Sequence, residues 1–218
     1  MNDKNTVIVI GLGRFGQSVC RRLVALKQEV VAVDRNMHRV EEVADIVDLA
    51  AQVDATDEEA MIKVGAKEAN VAIVAIGENI EASILATSIL RGLDVKHIIA
   101  RAQNSLHARV LAQVGAHRVI FPERDMGIRI AENIVFPWLS EFAALPGSSY
   151  LVGSIEAKEE MWGKTLAELN FRQRYNLTVL LLERKGTKLI PSPDTVLQQG
   201  DVLTVIGERE DIDKLKSL

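Results

Sequence analysis

Along the first two thirds of the chain, short apolar runs rich in valine, isoleucine and alanine alternate with stretches whose apolar residues recur at helical spacing. The runs at 6–10, 29–33, 47–51, 71–76, 97–101 and 118–121 read as strands. Between them the spacing predicts a helix carrying Val19, Leu23, Val24 and Leu26 on one face, then helices at 37–44, 57–64, 81–90 and 105–114. Strands that are apolar without interruption have both faces covered, which in a βαβα series implies a parallel sheet between two helical layers. The rhythm then changes. Residues 125–136 read as a long amphipathic helix stopped by Pro137, and 140–149, with Pro146 and Gly147, as an irregular connection. Beyond it the pattern is strand 151–157, short helix 165–170, strand 178–184, a tight turn at Lys185–Gly186, strands 188–191 and 202–207, and a terminal helix 210–218. The expected organisation is an α/β domain over 1–136, a linker over 137–149, and a small α+β C-terminal subdomain over 150–218.

Composition narrows the function classes. Lys and Arg number 26 against 30 Asp and Glu, for a net charge of −4, and neither part is basic. Binding to a nucleic-acid backbone is therefore not expected. The single cysteine, Cys20, forms no disulfide within the chain and suits a reducing cytoplasm. No apolar stretch approaches the about 20 residues of a membrane span, and the opening MNDKNTVIVIG lacks the pattern of a signal peptide. Any role at a membrane is expected to run through a partner.

The sharpest local signal is Gly11-Leu12-Gly13-Arg14-Phe15-Gly16, between the first strand and the first helix. Gly11 permits a tight turn, Gly13 lets a phosphate approach the backbone, and Gly16 lets helix and strand pack closely. The helix start offers N–H groups and a positive dipole end. Asp34 ends the second strand, where a carboxylate accepts hydrogen bonds from ribose hydroxyls and repels a 2′-phosphate. Together these predict a Rossmann-like parallel sheet domain that binds an adenine nucleotide. Phe15 in the loop and Arg35 after Asp34 are counted with the site. Arg14 would add charge beside terminal phosphates. Asp54-Ala55-Thr56 ends the third strand near the expected adenine, and can equally cap the next helix. Ile76 and Gly77 close the fourth strand at the switch point, where Gly77 serves close ligand approach or a plain turn.

Catalytic machinery is not evident. His38, His97, His107 and His117 show no partner pattern, Cys20 reads as a small core residue, and no cluster has zinc spacing. The second subdomain has neither histidine nor cysteine. The chain therefore reads as a binding protein rather than an enzyme. Two alternatives stay open: an NAD(H)-dependent oxidoreductase, and an NAD(H)-sensing regulator, although only five residues precede the first strand, too few for a winged helix.

The segments GLGRFG, VDRN, DATD, VAIGENIEASILAT, ARAQN and FPERDMG, with GKTLAELNFRQRYNLTVL and IPSPDTVLQQGDVLTVIG in the tail, resemble the RCK domain (also KTN or TrkA-N) and its C-subdomain, TrkA-C. The resemblance spans nearly the whole chain and implies a cytoplasmic regulatory subunit of a bacterial potassium uptake system. Such a subunit sits on the inner face of the membrane under a membrane-embedded KtrB/TrkH-like channel subunit, as a homodimer assembling to an octameric ring. The implied ligands are ATP/ADP or NAD(H). Gly11, Gly13 and Gly16 would hold phosphates, Asp34 the ribose and 54–56 the adenine edge. Arg14 would reach phosphates across the dimer, Arg101 would lie near them, and Glu123 would face the terminal phosphate with a bridging cation, or simply favour a helix N-terminus. The helix at 125–136 would pack on a second subunit. In some members the C-subdomain binds cyclic di-AMP, at positions matching Arg172, Leu177, Thr178, Val179 and Pro193.

Overall fold

A computed structural model describes residues 5–135, 142–145 and 147–216. The chain divides into two compact units, 1–127 and 128–218.

The first unit is a six-stranded parallel sheet. Its strands are β1 (Thr6–Ile10), β2 (Glu29–Asp34), β3 (Leu49–Gln52), β4 (Val71–Val74), β5 (His97–Arg101) and β6 (Arg118–Ile120), in the order β3-β2-β1-β4-β5-β6. The helices are α1 (Arg14–Ala25), α2 (Met37–Ala44), α3 (Glu58–Lys63), α4 (Ile80–Gly92) and α5 (Ser105–Gln113). Alternation along β1 supplies both helical layers. Val7 and Val9 pack with Cys20, Val40 and Val43, whereas Ile8 and Ile10 pack with Met61, Leu90 and Leu111. All of these are buried, and each large aliphatic side chain removed from water contributes about 1.5–3 kcal/mol. The third strand starts two residues later than the apolar run suggests. The Val47 amide still donates to Val43 O at the end of α2, and the Asp48 carboxylate accepts from the Val30 amide at 2.8 Å.

The helix expected at 125–136 starts a turn earlier, as α6 (Pro122–Val135). Proline's fixed φ suits the first helical position, where its missing N–H has no intrahelical acceptor to lose. The division between units falls inside α6. Phe136, Pro137 and Pro146, on which the expected helix stop and boundary rested, lie outside the described residues.

The second unit holds an antiparallel sheet of β7 (Phe142–Ala144), β8 (Tyr150–Glu156), β9 (Thr178–Arg184), β10 (Thr187–Leu189) and β11 (Val202–Glu208), in the order β10-β9-β11-β8-β7. Helices α7 (Leu166–Leu169), α8 (Phe171–Tyr175) and α9 (Arg209–Lys216) complete it. The core gathers Phe142, Ile155, Met161, Leu169, Leu177, Leu182, Leu197, Leu203 and Ile212. The β9–β10 turn runs through Lys185 and Gly186 with φ of 50° and 79°, the left-handed pair that matches hairpin twist. Two expectations are corrected. The stretch read as irregular contains β7, which pairs Phe142 with Gly153 on β8. The short helix expected at 165–170 is α7, and a second helix that was not expected, α8, follows it beyond Asn170 at φ 46°.

Candidate functional site

The backbone sets up a cleft where β1 and β4 part. The Gly11 amide donates to Val33 O at 2.8 Å, and the Ala75 amide to Ile10 O at 2.7 Å, so the loop after β1 stands between its neighbours' ends. Gly11 has φ +93°, and a Cβ there would lie 3.0 Å from Ile76 N. A Cβ on Gly16 would lie 2.0 Å from Gly11 O, so only glycine lets α1 start this close to β1. Gly13 is different: a Cβ there would meet nothing within 4 Å. The missing side chain serves open space above the loop.

Helix α1 also differs from its neighbours at its start. The caps of α2, α3, α4 and α5 are Asn36, Asp57, Asn79 and Asn104, each accepting an early helical amide at 2.9–3.1 Å. Gly13 caps α1 with no side chain, and no acidic residue stands in its first turn. The dipole end of α1 and Arg14 therefore face the cleft without an anionic or polar cap.

Asp34 does more than the sequence indicated. Its carboxylate, buried at 6% exposure, accepts from the Leu12 amide at 2.6 Å and the Asn36 amide at 2.9 Å. Arg39 Nη1 stands 3.6 Å from Oδ2. The acid thus fixes the glycine loop before any ribose reaches it, and a carboxylate retains further acceptor sites on both oxygens. Asp54 accepts from the Thr56 amide at 2.9 Å and the Thr56 hydroxyl at 2.8 Å. These bonds, the amide first, hold its carboxyl below the usual range, against a small opposing effect of burial and with a lesser contribution from Arg35. The local turn exposes Thr56 and leaves Asp57 to cap α3.

Gly11, Gly13, Arg14, Phe15, Asp34, Arg35, Asp54, Ala55, Thr56, Ile76, Gly77, Arg101 and Glu123 all line one cleft of about 730 Å³. Gly16 lies behind the loop. Arg101 donates to Glu123 in the first turn of α6, and the Gln103 side-chain Nε2 donates to Gly77 O. Among the polar lining residues, Gln17, Arg39, Glu42, Glu78, Asn79 and Glu81 were missed. Gln17 bonds Leu12 O at 3.0 Å and also reaches Glu42. That tie joins α1 to α2 across 25 residues, and no local spacing announces it. Asn79 was legible as an acceptor ahead of the α4 pattern. Among the described residues, no histidine, cysteine, lysine or tyrosine lines the cleft.

The remaining reactive groups lie elsewhere. Burial pushes the Cys20 thiol up to about 11 and lowers the pKa of His107. His117 Nδ1 accepts from the Ile98 amide at 3.0 Å. Among the described residues no group of three or more His, Cys, Asp or Glu could hold a metal ion, and no helix is long and apolar enough to cross a membrane. The residues matched to a second ligand lie in the second unit. Leu177 is fully buried and Val179 packs on the core, whereas Arg172 and Pro193 are exposed and Thr178 is half-buried. Of these, Leu177 is not free to present its side chain to a ligand.

Comparison with known proteins places this geometry. The model of the TrkA-N domain matches residues 7–122, and that of the TrkA-C domain residues 154–218. The Ktr system potassium uptake protein C of Bacillus subtilis (strain 168) is 41% identical over 98% of this chain and 96% of its own. The Ktr system potassium uptake protein A of Vibrio alginolyticus is 38% identical over 96% of each chain. Among solved structures, the GsuK RCK domain has a TM-score of 0.54 at 24% identity, over 99% of this chain and 46% of that one. The TrkA-N domain of the Escherichia coli inner membrane protein YbaL also gives 0.54 at 24%, over 61% of this chain and 98% of that one.

Proposed function

The chain belongs to the family of TrkA-N domain proteins that carry a TrkA-C domain behind it, and from that premise we propose that it is the nucleotide-switched regulatory subunit of a potassium uptake system. The observation that carries the reading is the cleft. An uncapped helix start, an open Gly13, a ribose-positioned Asp34 and the cations Arg14 and Arg101 converge on one volume sized for an adenine nucleotide. Near full-length similarity to two Ktr potassium uptake proteins supplies the transport context.

The ligand is ATP/ADP or NAD(H), a solved GsuK channel bound to NAD being one structural neighbour. The loop amides and Arg14 take the phosphates, Asp34 the ribose, and the turn at 54–56 the adenine edge. Glu123 would give a divalent cation one carboxylate, and phosphate oxygens would supply the further ligands that the protein does not gather there. Control follows from differential affinity: a nucleotide that binds one conformation better shifts the population by that difference. Helix α6 runs on from Glu123 with Met126, Ile130 and Ile134 along one side and Ile128 and Val135 on the other, all more than half exposed, apolar surface suited to a second copy in the homodimer and ring. The output is a membrane-embedded channel subunit, and the site is read as binding rather than turning over its nucleotide.

The test is a calorimetric titration with ATP, ADP, NADH and cyclic di-AMP, paired with potassium uptake in vesicles that hold the channel subunit with and without this chain. Nucleotide-dependent uptake that requires the chain is expected. Tight binding with no effect on uptake overturns the regulatory reading, and steady consumption of NADH with a small carbonyl substrate would replace it with an oxidoreductase. Binding of cyclic di-AMP, lost on Arg172→Ala, would establish the second site.

A further inference from the structure

Arg101 is held in an unusual way for a cleft arginine. It ends β5, and its guanidinium lies where a side chain on residue 77 would stand: a Cβ on Gly77 would be 2.1 Å from Nη1 and 2.7 Å from Cζ. Glycine at the end of β4 is therefore a requirement of Arg101, beyond any requirement of the turn. The Gln103 side-chain Nε2 closes the arrangement on Gly77 O. One face of the guanidinium is thus packed against backbone, and its Nε is buried with no hydrogen-bond partner. The Nη2 donor goes to Glu123 Oε1.

The two partners differ in freedom. The Arg101 side chain is 22% exposed and that of Glu123 66%. A largely hydrated carboxylate holds its partner weakly. A guanidinium fixed in place, with its Nη2 on an exposed carboxylate and its Nε turned into the protein, is matched at its Nη groups to a planar or tetrahedral oxyanion that can take two N–H groups at once. Both residues line the cleft with Gly13 and Arg14, so a polyphosphate seated on the loop competes with Glu123 for the same cation.

Resting on the nucleotide reading above, we propose that Glu123 is an exchangeable placeholder on Arg101, which a terminal phosphate displaces, so that the pair sorts adenine nucleotides by phosphate number. AMP is too short to make the exchange. ATP makes it, and frees the first-turn carboxylate of α6. The cost of breaking the pair is charged to long nucleotides alone, which gives the residue next to α6 a part in telling them apart.

A double-mutant cycle of Arg101→Gln and Glu123→Gln tests this, with ATP and AMP binding measured by calorimetry in EDTA, so that no cation bridges phosphate and carboxylate. Glu123→Gln is expected to tighten ATP by roughly 3- to 10-fold and leave AMP within about twofold. Arg101→Gln is expected to weaken ATP by about 10- to 100-fold. The gain from Glu123→Gln must shrink when Arg101 is absent, because there is then no cation to release. If Glu123 only repels phosphate, the gain persists or grows without Arg101, and the exchange is overturned. Equal changes for ATP and AMP overturn it as well. Arg101→Lys, which keeps the charge and gives up the fork, repeats the cycle should Arg101→Gln fail to melt cooperatively. If the unaltered protein binds neither nucleotide, the nucleotide reading itself fails; if it binds both and the cycle is additive, only the exchange does.

Discussion

Each unit carries an arginine–carboxylate pair at the end of a strand, and the two are built to opposite ends. In the second unit Arg184 on β9 grips Asp201 with both arms: Nε to Oδ1 at 2.7 Å and Nη2 to Oδ2 at 2.6 Å. The Gln198 amide donates to the same carboxylate at 2.8 Å, and Arg184 Nη2 reaches Val196 O at 2.8 Å. Asp201 is fully buried. Arg101 and Glu123 in the first unit share one contact, beside a cleft, and the buried Nε of Arg101 has no hydrogen-bond partner among the described residues. The first arrangement spends three hydrogen bonds of its arginine on closing a loop onto the sheet. The second rests on one bond to a largely exposed carboxylate, which on the proposed reading a ligand replaces. Residue types alone do not separate a structural pair from a ligand-facing one; the number of satisfied donors does.

The largest effect on folding should come from breaking the closed pair. Asp201→Asn leaves Arg184 without its counter-charge and the Gln198 amide with a poorer acceptor, a loss of roughly 2–4 kcal/mol, read from the urea midpoint of the second unit. ATP binding to the first unit should not move. The same pair sets an acid limit. The Arg184 hydrogen bonds first, and then the Gln198 amide, hold the Asp201 carboxyl below its ordinary 3.8 against the opposing effect of burial. A depressed folded pKa gives stability that is complete above the unfolded value and is lost as pH falls through the folded one. The second unit should therefore weaken progressively below about pH 4, and Asp201→Asn should flatten that slope. If Glu123→Gln destabilises the first unit as much, the contrast between the pairs collapses.

Next come Gly16→Ala and Asp34→Asn, which sharpen the comparison inside the first unit. A methyl on residue 16 would meet Gly11 O at 2.0 Å, so α1 must move off β1, at about 1–3 kcal/mol. ATP affinity should collapse with it, seen by calorimetry and melting together. Asp34→Asn weakens the charge-assisted bonds to the Leu12 and Asn36 amides, at about 1 kcal/mol. If Asp34 also reads the ribose, the variant should narrow the difference in affinity between ATP and 2′-deoxy-ATP. An unchanged difference would confine Asp34 to holding the loop.

The two units were not equally legible. In the first, strands and helices alternate regularly, α2 to α5 each start at a capping Asn or Asp, and the glycine loop with Asp34 stands at fixed offsets from them. The parallel sheet and the loop's position could be read because local pattern and tertiary contact agree. In the second, β7 is Phe-Ala-Ala with no β-branched residue, and it is a strand only because β8 offers an edge. Helix α8 spans five residues, too short for periodicity to register. Within the site, the side chains that face the cleft by their own element were foreseen. Gln17, Glu42 and Arg39 were not, because their roles arise from pairing α1 with α2 and α2 with β2, contacts that no offset along the chain encodes. The double duty of Asp34 escaped for the same reason: its Leu12 partner is set by the loop's return toward β2.

The smallest expected change in stability is the most informative about the open side of the comparison. Gly13 has φ −68° and ψ −178°, a conformation that alanine adopts freely, and a Cβ there meets nothing within 4 Å. Gly13→Ala should leave the melting of the first unit unchanged within about 0.5 kcal/mol, or raise it slightly by restricting the unfolded chain. The same methyl would stand in the space through which a phosphate approaches the start of α1, so ATP affinity should fall by about tenfold or more. Gly16 and Gly13 belong to one motif, three residues apart, yet one is demanded by packing and the other by a ligand. A Gly13→Ala protein that melts normally and binds ATP as before would mean that phosphates do not use the α1 start, and the cleft would need a different occupant.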